Sequence, residues 1–423
     1  MSVVTTEVVR NLVAEHERLA YAMPIEDIVV ADSALFQQGV WMPYFQRLRH
    51  EDPVHFTPKS RFGAHWSITK FKDIQTVDSN WRVFSSDTDR GGVHIGDKPP
   101  EKRIRSFIAS DPPRQAEQRK AIQPIVSAGS LAEIETLIRQ RTGVLLDRLP
   151  RNETFDWVAR ASIELTSMTL ATIFDFPIED RRLLAHWSDA SIVDLLAGGP
   201  IDSEEKRGAE LAKCLDAFKL LREEKLKRQP ENNLISMIAH SPAYQGISER
   251  EFLGNLLLLI IGGNETTRNS MSASVLLLNE NPNEQCKLRE NPELIESMVS
   301  EVIRFQSPIL AFRRTATQDT QLANKTIREG ERVVMWYISG NRDEDEFEEP
   351  HRFLLGRDNY RKHIAYGFGV HRCVGNRLAE MQLRVLWEEI LARDLKIEVV
   401  GPPKRQYSTF VHGIMELPVI IRP

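Results

Sequence analysis

The sequence predicts a mostly helical chain with small β-sheets, an α+β protein built as one large unit. Three observations predict it. Seven long segments carry apolar residues three and four apart between acceptable caps. Strand-like alternation is confined to a few short pieces. No internal repeat or low-complexity linker divides the 423 residues, and the 22 glycines and 22 prolines are spread along the chain.

In chain order, residues 1–40 read as an N-terminal extension and residues 41–423 as a single domain. Val54–Thr57 and 65–69 are the first expected strands. Helical spacing then holds over 130–149, 158–174, 179–196, 203–227, 248–279 and 291–305. Strand signals return at 312–322 and 332–337. A charged loop over 341–360 and a Gly-punctuated loop over 366–374 lead into a last helix at 375–391, and a terminal strand follows near 417–421. Loops of this length inside a compact unit are usually functional.

Composition narrows the function. Sixty acidic against 55 basic residues, a net charge of −5, argue against a chain built to coat nucleic acid. Cys214, Cys286 and Cys373 stand in separate contexts without a CxxC pair, so neither a disulfide framework nor a cysteine-rich zinc site follows, and a reducing, cytoplasmic setting is expected. The first twenty residues are interrupted by Glu7, Arg10, Glu15, Glu17 and Arg18, and the longest apolar run is only 256–261, so no membrane anchor is expected.

Three constellations carry chemistry. The first, 366–375, sets Cys373 at the mouth of a helix behind Gly367 and Gly369, where unpaired N–H groups and the helix dipole favour a thiolate, with His371 and Arg372 as possible cations. The bland alternative is a small buried hydrophobe. A dinucleotide fingerprint fails because Arg372 occupies the third glycine position, and a zinc site from His363, His371 and Cys373 lacks a fourth ligand. The second is the glycine pair Gly262-Gly263 inside the long apolar helix. Each mid-helix glycine costs about 1 kcal/mol relative to alanine, which close approach of something flat would justify. Gly262, Glu265 and Thr266 fall three and four apart, placing an acid and an alcohol beside the bare patch. The alternative is that the threonines bond back to carbonyls four residues earlier. The third is Glu301-x-x-Arg304, which in isolation is most often a surface ion pair.

Taken in order, the Gly-Gly-x-Glu-Thr-Thr helix, Glu-x-x-Arg, then Asn341-Arg342-Asp343 with Phe347, Pro350, Phe353 and Arg357, and the cysteine loop, the chain resembles the cytochrome P450 family from about Trp41 onward. The resemblance implies a triangular helical prism enclosing haem b (iron protoporphyrin IX), with Cys373 as axial ligand of the iron. It implies that Gly262 and Gly263 lie over the haem, that Glu265 and Thr266 form the proton relay, and that Glu301 and Arg304 brace the cysteine loop. Phe368, Gly369 and Gly375 would frame the haem, with Arg119, Arg314 and His371 on its propionates. Gln115, a further haem contact that the resemblance implies, stands where many bacterial members have histidine, so its propionate contact would be weaker or different, and Tyr366 replaces the usual phenylalanine.

Finer wording at 263–270, 305–310 and 377–382 is similar to the bacterial branch that hydroxylates terminal carbons of alkanes and fatty acids. The implied reaction inserts one atom of O2 into a C–H bond of an apolar small molecule. Leu258, Gly262, Ile309, Leu310, Phe410 and Val411 are the expected substrate wall. Electrons are expected from a ferredoxin and its ferredoxin reductase, docking on a basic face of Arg114, Arg119, Lys120, Arg361, Lys362, Arg372 and Arg377. A steroid or terpene hydroxylase of the same family, and a thiolate-haem sensor or carrier, are the rival expectations.

Overall fold

The computed structural model describes residues 3–422, with side chains from residue 11 onward. Helices dominate, and the longest, Glu249–Glu280, runs through the middle of the protein. It begins where a cap permits, with Ser248 Oγ accepting from Glu251 N–H. Its two halves enter different cores. Phe252, Leu256 and Ile260 pack with Ile163–Phe174, Arg182–Ile192 and Glu204–Leu226, whereas Met271, Val275 and Leu278 pack with Ile295–Gln306 and Asn376–Ala392. Each of these buried side chains contributes roughly 1.5–3 kcal/mol. The stretch between the cores, 261–270, is where the cavity lies.

Polar groups in the central helix are satisfied by its neighbours. Thr166 Oγ1 donates to Asn264 Oδ1 at 2.8 Å, Trp387 Nε1 to Ser274 Oγ at 2.8 Å, and Ile414 N–H to Asn269 Oδ1 at 2.7 Å.

The main sheet orders its strands Val54–Thr57, His65–Ile68, Arg332–Trp336, Ala311–Ala316 and Phe84–Ser85, with His65–Ile68 and Arg332–Trp336 parallel. The terminal strand Pro418–Arg422 pairs with Lys396–Val399 and Phe155–Asp156.

The seven expected helices are present with edges moved by a few residues. The segment expected at 158–174 opens as a π-turn, Val158–Ser162, and that at 291–305 opens as a 3-10 turn, Pro292–Leu294. The strand expected at 312–322 is broken into Ala311–Ala316 and Thr320–Leu322. Helices unforeseen in sequence include Phe71–Ser79 and Arg114–Ile122, the second too polar to show a stripe. Ala20, Ile28, Val30, Phe36 and Val40 pack with Trp41, Phe45 and Trp336, so the boundary expected at residue 41 runs through one hydrophobic cluster. No described helix is long and apolar enough to cross a membrane.

Candidate functional site

Backbone bonds shape the cysteine loop first. Gly367 N–H donates to Ile364 O at 2.9 Å and Cys373 N–H to Tyr366 O at 2.8 Å, folding the loop back ahead of Asn376–Ala392. Gly369 has φ 64°, and a Cβ there would lie 2.6 Å from Asp78 O, so glycine lets the loop lie against Phe71–Ser79. Asp78, 1% exposed, anchors it: the carboxylate accepts from Phe368 N–H at 2.7 Å, Tyr337 hydroxyl at 3.0 Å and Arg314 Nη2 at 2.6 Å.

A cavity of about 800 Å³ is lined by Cys373, Gly375 and Leu378 from this loop and its helix, and by Leu258, Gly262, Gly263 and Thr266 from the central helix. Ile309, Phe312 and Phe410 complete much of its apolar wall. Residues 88–107 also contribute, held in place by Arg313. Arg313 N–H donates to Val93 O at 2.8 Å, its guanidinium bonds Asp97 at 2.5 Å, and Gly91 at φ 108° leaves room for it. At the far end of this stretch Phe107 N–H donates to Asn255 Oδ1 at 3.0 Å.

Burial pushes the free Cys373 thiol up, and the Gly375 N–H, Arg119 and Arg372 offset this only in part. Burial, with Arg314 and Arg119 nearby, holds the His371 ring well below the ordinary histidine value. Its Nε2 meets Ser86 Oγ at 2.7 Å, while Nδ1 has no partner among the described residues. Arg119 lines the same cavity, and among the described residues nothing accepts a hydrogen bond from it. Gly262 and Gly375 each leave open space where a Cβ would stand. A thiol, two bare backbone patches, the Arg119 guanidinium and the free Nδ1 of His371 around one cavity fit a flat, anionic, metal-bearing macrocycle.

The acid and the alcohol do not share a face as expected. Thr266 lines the cavity, with its Oγ1 donating to Gly262 O at 2.7 Å, so the back-bonding alternative holds for this residue. Glu265 is 0% exposed and lies outside the cavity lining. It accepts from Ser188 Oγ at 2.9 Å and from Asn264 Nδ2 at 3.2 Å, and pairs with Arg268 Nη2 at 2.5 Å. Arg268 also reaches Asp189, whose side chain is 43% exposed. Burial raises the Glu265 carboxyl above its ordinary value despite the Arg268 charge.

Glu301 and Arg304 are both 1% exposed, not a surface pair. Arg304 Nε and Nη2 meet the carboxylate at 2.7 and 2.8 Å, and Arg357 and Leu354 N–H add 3.1 and 3.0 Å bonds. Burial raises the Glu301 carboxyl, but these donors prevail and hold it below its ordinary value. The pair braces 341–357 and reaches toward the cysteine loop through Asn341, which accepts from Ile364 N–H at 2.8 Å.

Other expected contacts fall elsewhere. Leu310 is 0% exposed and packs with Trp41, Trp336 and Ile338, and Val411 is 1% exposed on a backbone bridge to Ile309, so neither lines the cavity. Arg314 is engaged by Asp78 and stays outside the lining. Gln115 donates to Val370 O at 2.8 Å, stitching Arg114–Ile122 to the cysteine loop. The Phe368 side chain is 41% exposed, and Gly369 meets Asp78 rather than the cavity. Gly263 lines the cavity, yet its missing side chain mainly admits Leu170, which a Cβ would meet at 2.6 Å. Among the described residues no three His, Cys, Asp or Glu side chains gather as a metal site, so His363, His371 and Cys373 are not a zinc set. Of the expected basic face, Arg119 is inside the cavity, and Arg114, Arg361 and Lys362 pair with Glu251, Glu296 and Glu346. Lys120, Arg372 and Arg377 are exposed and have no ion pair among the described residues.

Sequence reasoning missed Asp78, Ser188, Asp189 and Arg268. It also missed His94, whose ring lies in the cavity 4.8 Å from that of Phe410. The adjacent Gly91-Gly92 pair was the available signal for His94, since it marks a tight turn.

A haem-thiolate oxygenase is the class that this helical frame and cavity define. The family model for Cytochrome P450 matches residues 55–413, and the chain belongs to that family. It is 35% identical to Linalool 8-monooxygenase of Pseudomonas putida over 92% of this chain and 97% of that protein. It is 28% identical to the Methyl-branched lipid omega-hydroxylase of Mycobacterium tuberculosis over 94% of this chain and 96% of that one. Among solved structures, Cytochrome P450-153 from Novosphingobium aromaticivorans matches with TM-score 0.88 and 40% identity, covering 94% of this chain and all of that one. The protein is an oxygen-incorporating oxidoreductase, and its family binds haem through a cysteine thiolate.

Proposed function

We propose that this protein hydroxylates the terminal carbon of medium-chain linear substrates, alkanes or fatty acids, with electrons from a ferredoxin and its reductase. The observation that carries the proposal is the cavity, whose apolar walls from Leu258, Ile309, Phe312 and Phe410 continue to the thiol of Cys373. The likeness to the lipid omega-hydroxylase supports it. A terminal C–H bond is stronger than its neighbours, so selectivity requires walls that present the chain end.

The haem, held by Cys373 and met by Arg119 and His371, supplies O2 activation and oxygen insertion when bound. The chain supplies position and protons. Thr266 Oγ1 sits at the cavity wall, and behind it Glu265, Arg268 and Asp189 form a hydrogen-bonded line from the buried helix to solvent. Ser188 and Asn264 fix the Glu265 carboxylate while it waits. The exposed Lys120, Arg372 and Arg377 offer an acidic ferredoxin a docking face, so raising ionic strength should slow ferredoxin-supported turnover.

The test is binding spectra and product analysis across linear alkanes, fatty acids, steroids and linalool. Terminal alcohols from linear chains support the proposal, and absence of any response to linear ligands sinks it. A terpene hydroxylase is the second reading, favoured by the 35% identity to Linalool 8-monooxygenase. The carbon monoxide difference band of the reduced protein should vanish in Cys373→Ala.

A further inference from the structure

Away from Arg119 and His371, which face the Cys373 end, the charged side chains of the cavity wall gather in one place. Where Pro100–Lys102, the start of Glu204–Leu226 and the first turn of Glu249–Glu280 converge, it is lined by Lys98, Lys102, Arg103, Arg207, Arg250 and Glu204. Glu204 is the lone carboxylate among them and is committed to Arg207 at 2.8 Å. Lys98, Lys102, Arg103 and Arg250 have no carboxylate within 4 Å among the described residues. Arg103 and Arg250 donate only to backbone carbonyls. The nearby acids of the central helix are already taken, Glu249 by Lys219 and Glu251 by Arg114 and Gln118. Burial lowers the Lys98 ammonium, Glu204 nearby offsets this in part, and Arg207, Arg250 and Lys102 act on it as like charges. Cations gathered on a cavity wall around a single carboxylate repel one another, a cost that an anionic guest relieves.

We infer that this cluster is a carboxylate subsite, and that the substrate is a linear chain with an anionic head, a free fatty acid rather than an alkane. The inference rests on the terminal-hydroxylation reading above. The central helix supplies the ruler. Arg250 and Gly262 are twelve residues apart on it, about 18 Å at 1.5 Å per residue. An extended saturated chain advances about 1.3 Å per carbon for carbon–carbon bonds near 1.5 Å. A carboxylate at the cluster therefore delivers the far end of a chain of about twelve to fourteen carbons to the bare helix patch near Cys373. Charged side chains holding the head, with mostly apolar walls for the tail, also oppose the reversed orientation, because Leu258, Ile309 and Phe410 offer a carboxylate no cation.

The test compares dodecanoate with methyl dodecanoate and dodecane on the holoenzyme, reading affinity by the haem absorbance shift and independently by calorimetry. The wild type should bind dodecanoate about tenfold more tightly than its ester, as charge-assisted hydrogen bonds require. The gap should narrow at about 0.5 M salt. The double variant Lys98→Gln/Arg250→Gln should lose the gap while its affinity for the ester changes less than about twofold. Unchanged thermal unfolding certifies the fold. Equal affinities in the wild type, or a gap that survives in the double variant, overturn the inference. If neutral chains bind and are hydroxylated at the terminus without preference for the acid, the carboxylate subsite falls and the proposed function stands. If no linear ligand binds at all, both fall.

Discussion

Replacing Glu301 by alanine tests whether a buried charge pair holds the frame behind the cysteine loop. The substitution removes the acceptor of four hydrogen bonds, two from Arg304 and one each from Arg357 and Leu354 N–H. Arg304, 1% exposed, keeps only carbonyl partners, Asn341 at 2.6 Å, Pro350 at 3.0 Å and Arg352 at 3.3 Å. An uncompensated buried cation of this kind costs about 3–5 kcal/mol. Unfolding entropy near 2.1 cal/mol/K per residue gives roughly 0.9 kcal/mol/K for a chain of this length, so Tm should fall by about 3–6 °C. The assay is thermal unfolding of the holo-protein followed by far-ultraviolet circular dichroism, with the carbon monoxide band as a second readout of the thiolate site. Glu349→Ala, which breaks a solvated pair with Arg352, is the control and should leave Tm where it was. A Tm for Glu301→Ala within about 1 °C of wild type would refute the reasoning.

Three further outcomes are expected. Thr266→Ala should keep consuming O2 while product per O2 falls about tenfold or more; fully coupled turnover would remove Thr266 from proton delivery. Ile309→Phe should shift the position of hydroxylation, whereas Leu310→Ala should leave it unchanged and cost about 2–5 kcal/mol of stability, and the opposite pattern would return Leu310 to the cavity wall. For Glu344, burial raises the carboxyl, but hydrogen bonds from Arg49 and His351 outweigh it and hold the folded-state value below the ordinary one of 4.5. Its stabilising share is therefore complete above that value and is lost as pH falls through the lower folded-state value. Glu344→Gln should differ from wild type most near neutrality and converge with it in acid unfolding curves.

Much of the frame could be read before the structure, because long amphipathic helices with serine caps depend on local chemistry. Ser248 and Ser203 each accept from the N–H three residues on, as a cap requires. The Cys373 loop was legible for the same reason, its glycines marking turns. Side-chain direction was less legible. Adjacent helical residues differ by about 100°, so the cavity receives Thr266 while Glu265 turns to Ser188 on another helix. Neighbours in extended chain alternate faces, so the pairs Ile309-Leu310 and Phe410-Val411 each contribute one residue to the wall. That signal was in the sequence and argued against placing both members inside. The basic cluster was not readable at all, because residues near 98–103, 207 and 250 meet only once three separate helical segments have packed.

The stretch from Thr88 to Phe107 has a consequence for how such a protein diversifies. It is fastened by Arg313 near one end and by Asn255 at the other, and between those fixings it carries His94 and the lysines at 98 and 102. Cys373, Thr266 and the buried Glu301–Arg304 brace all lie on other parts of the chain. Part of what the enzyme accepts is thus written in a passage of sequence that carries none of these groups. A grafted strap of the same length, keeping Gly91 and Asp97 for Arg313, would change the guest while leaving the oxidising machinery as it was.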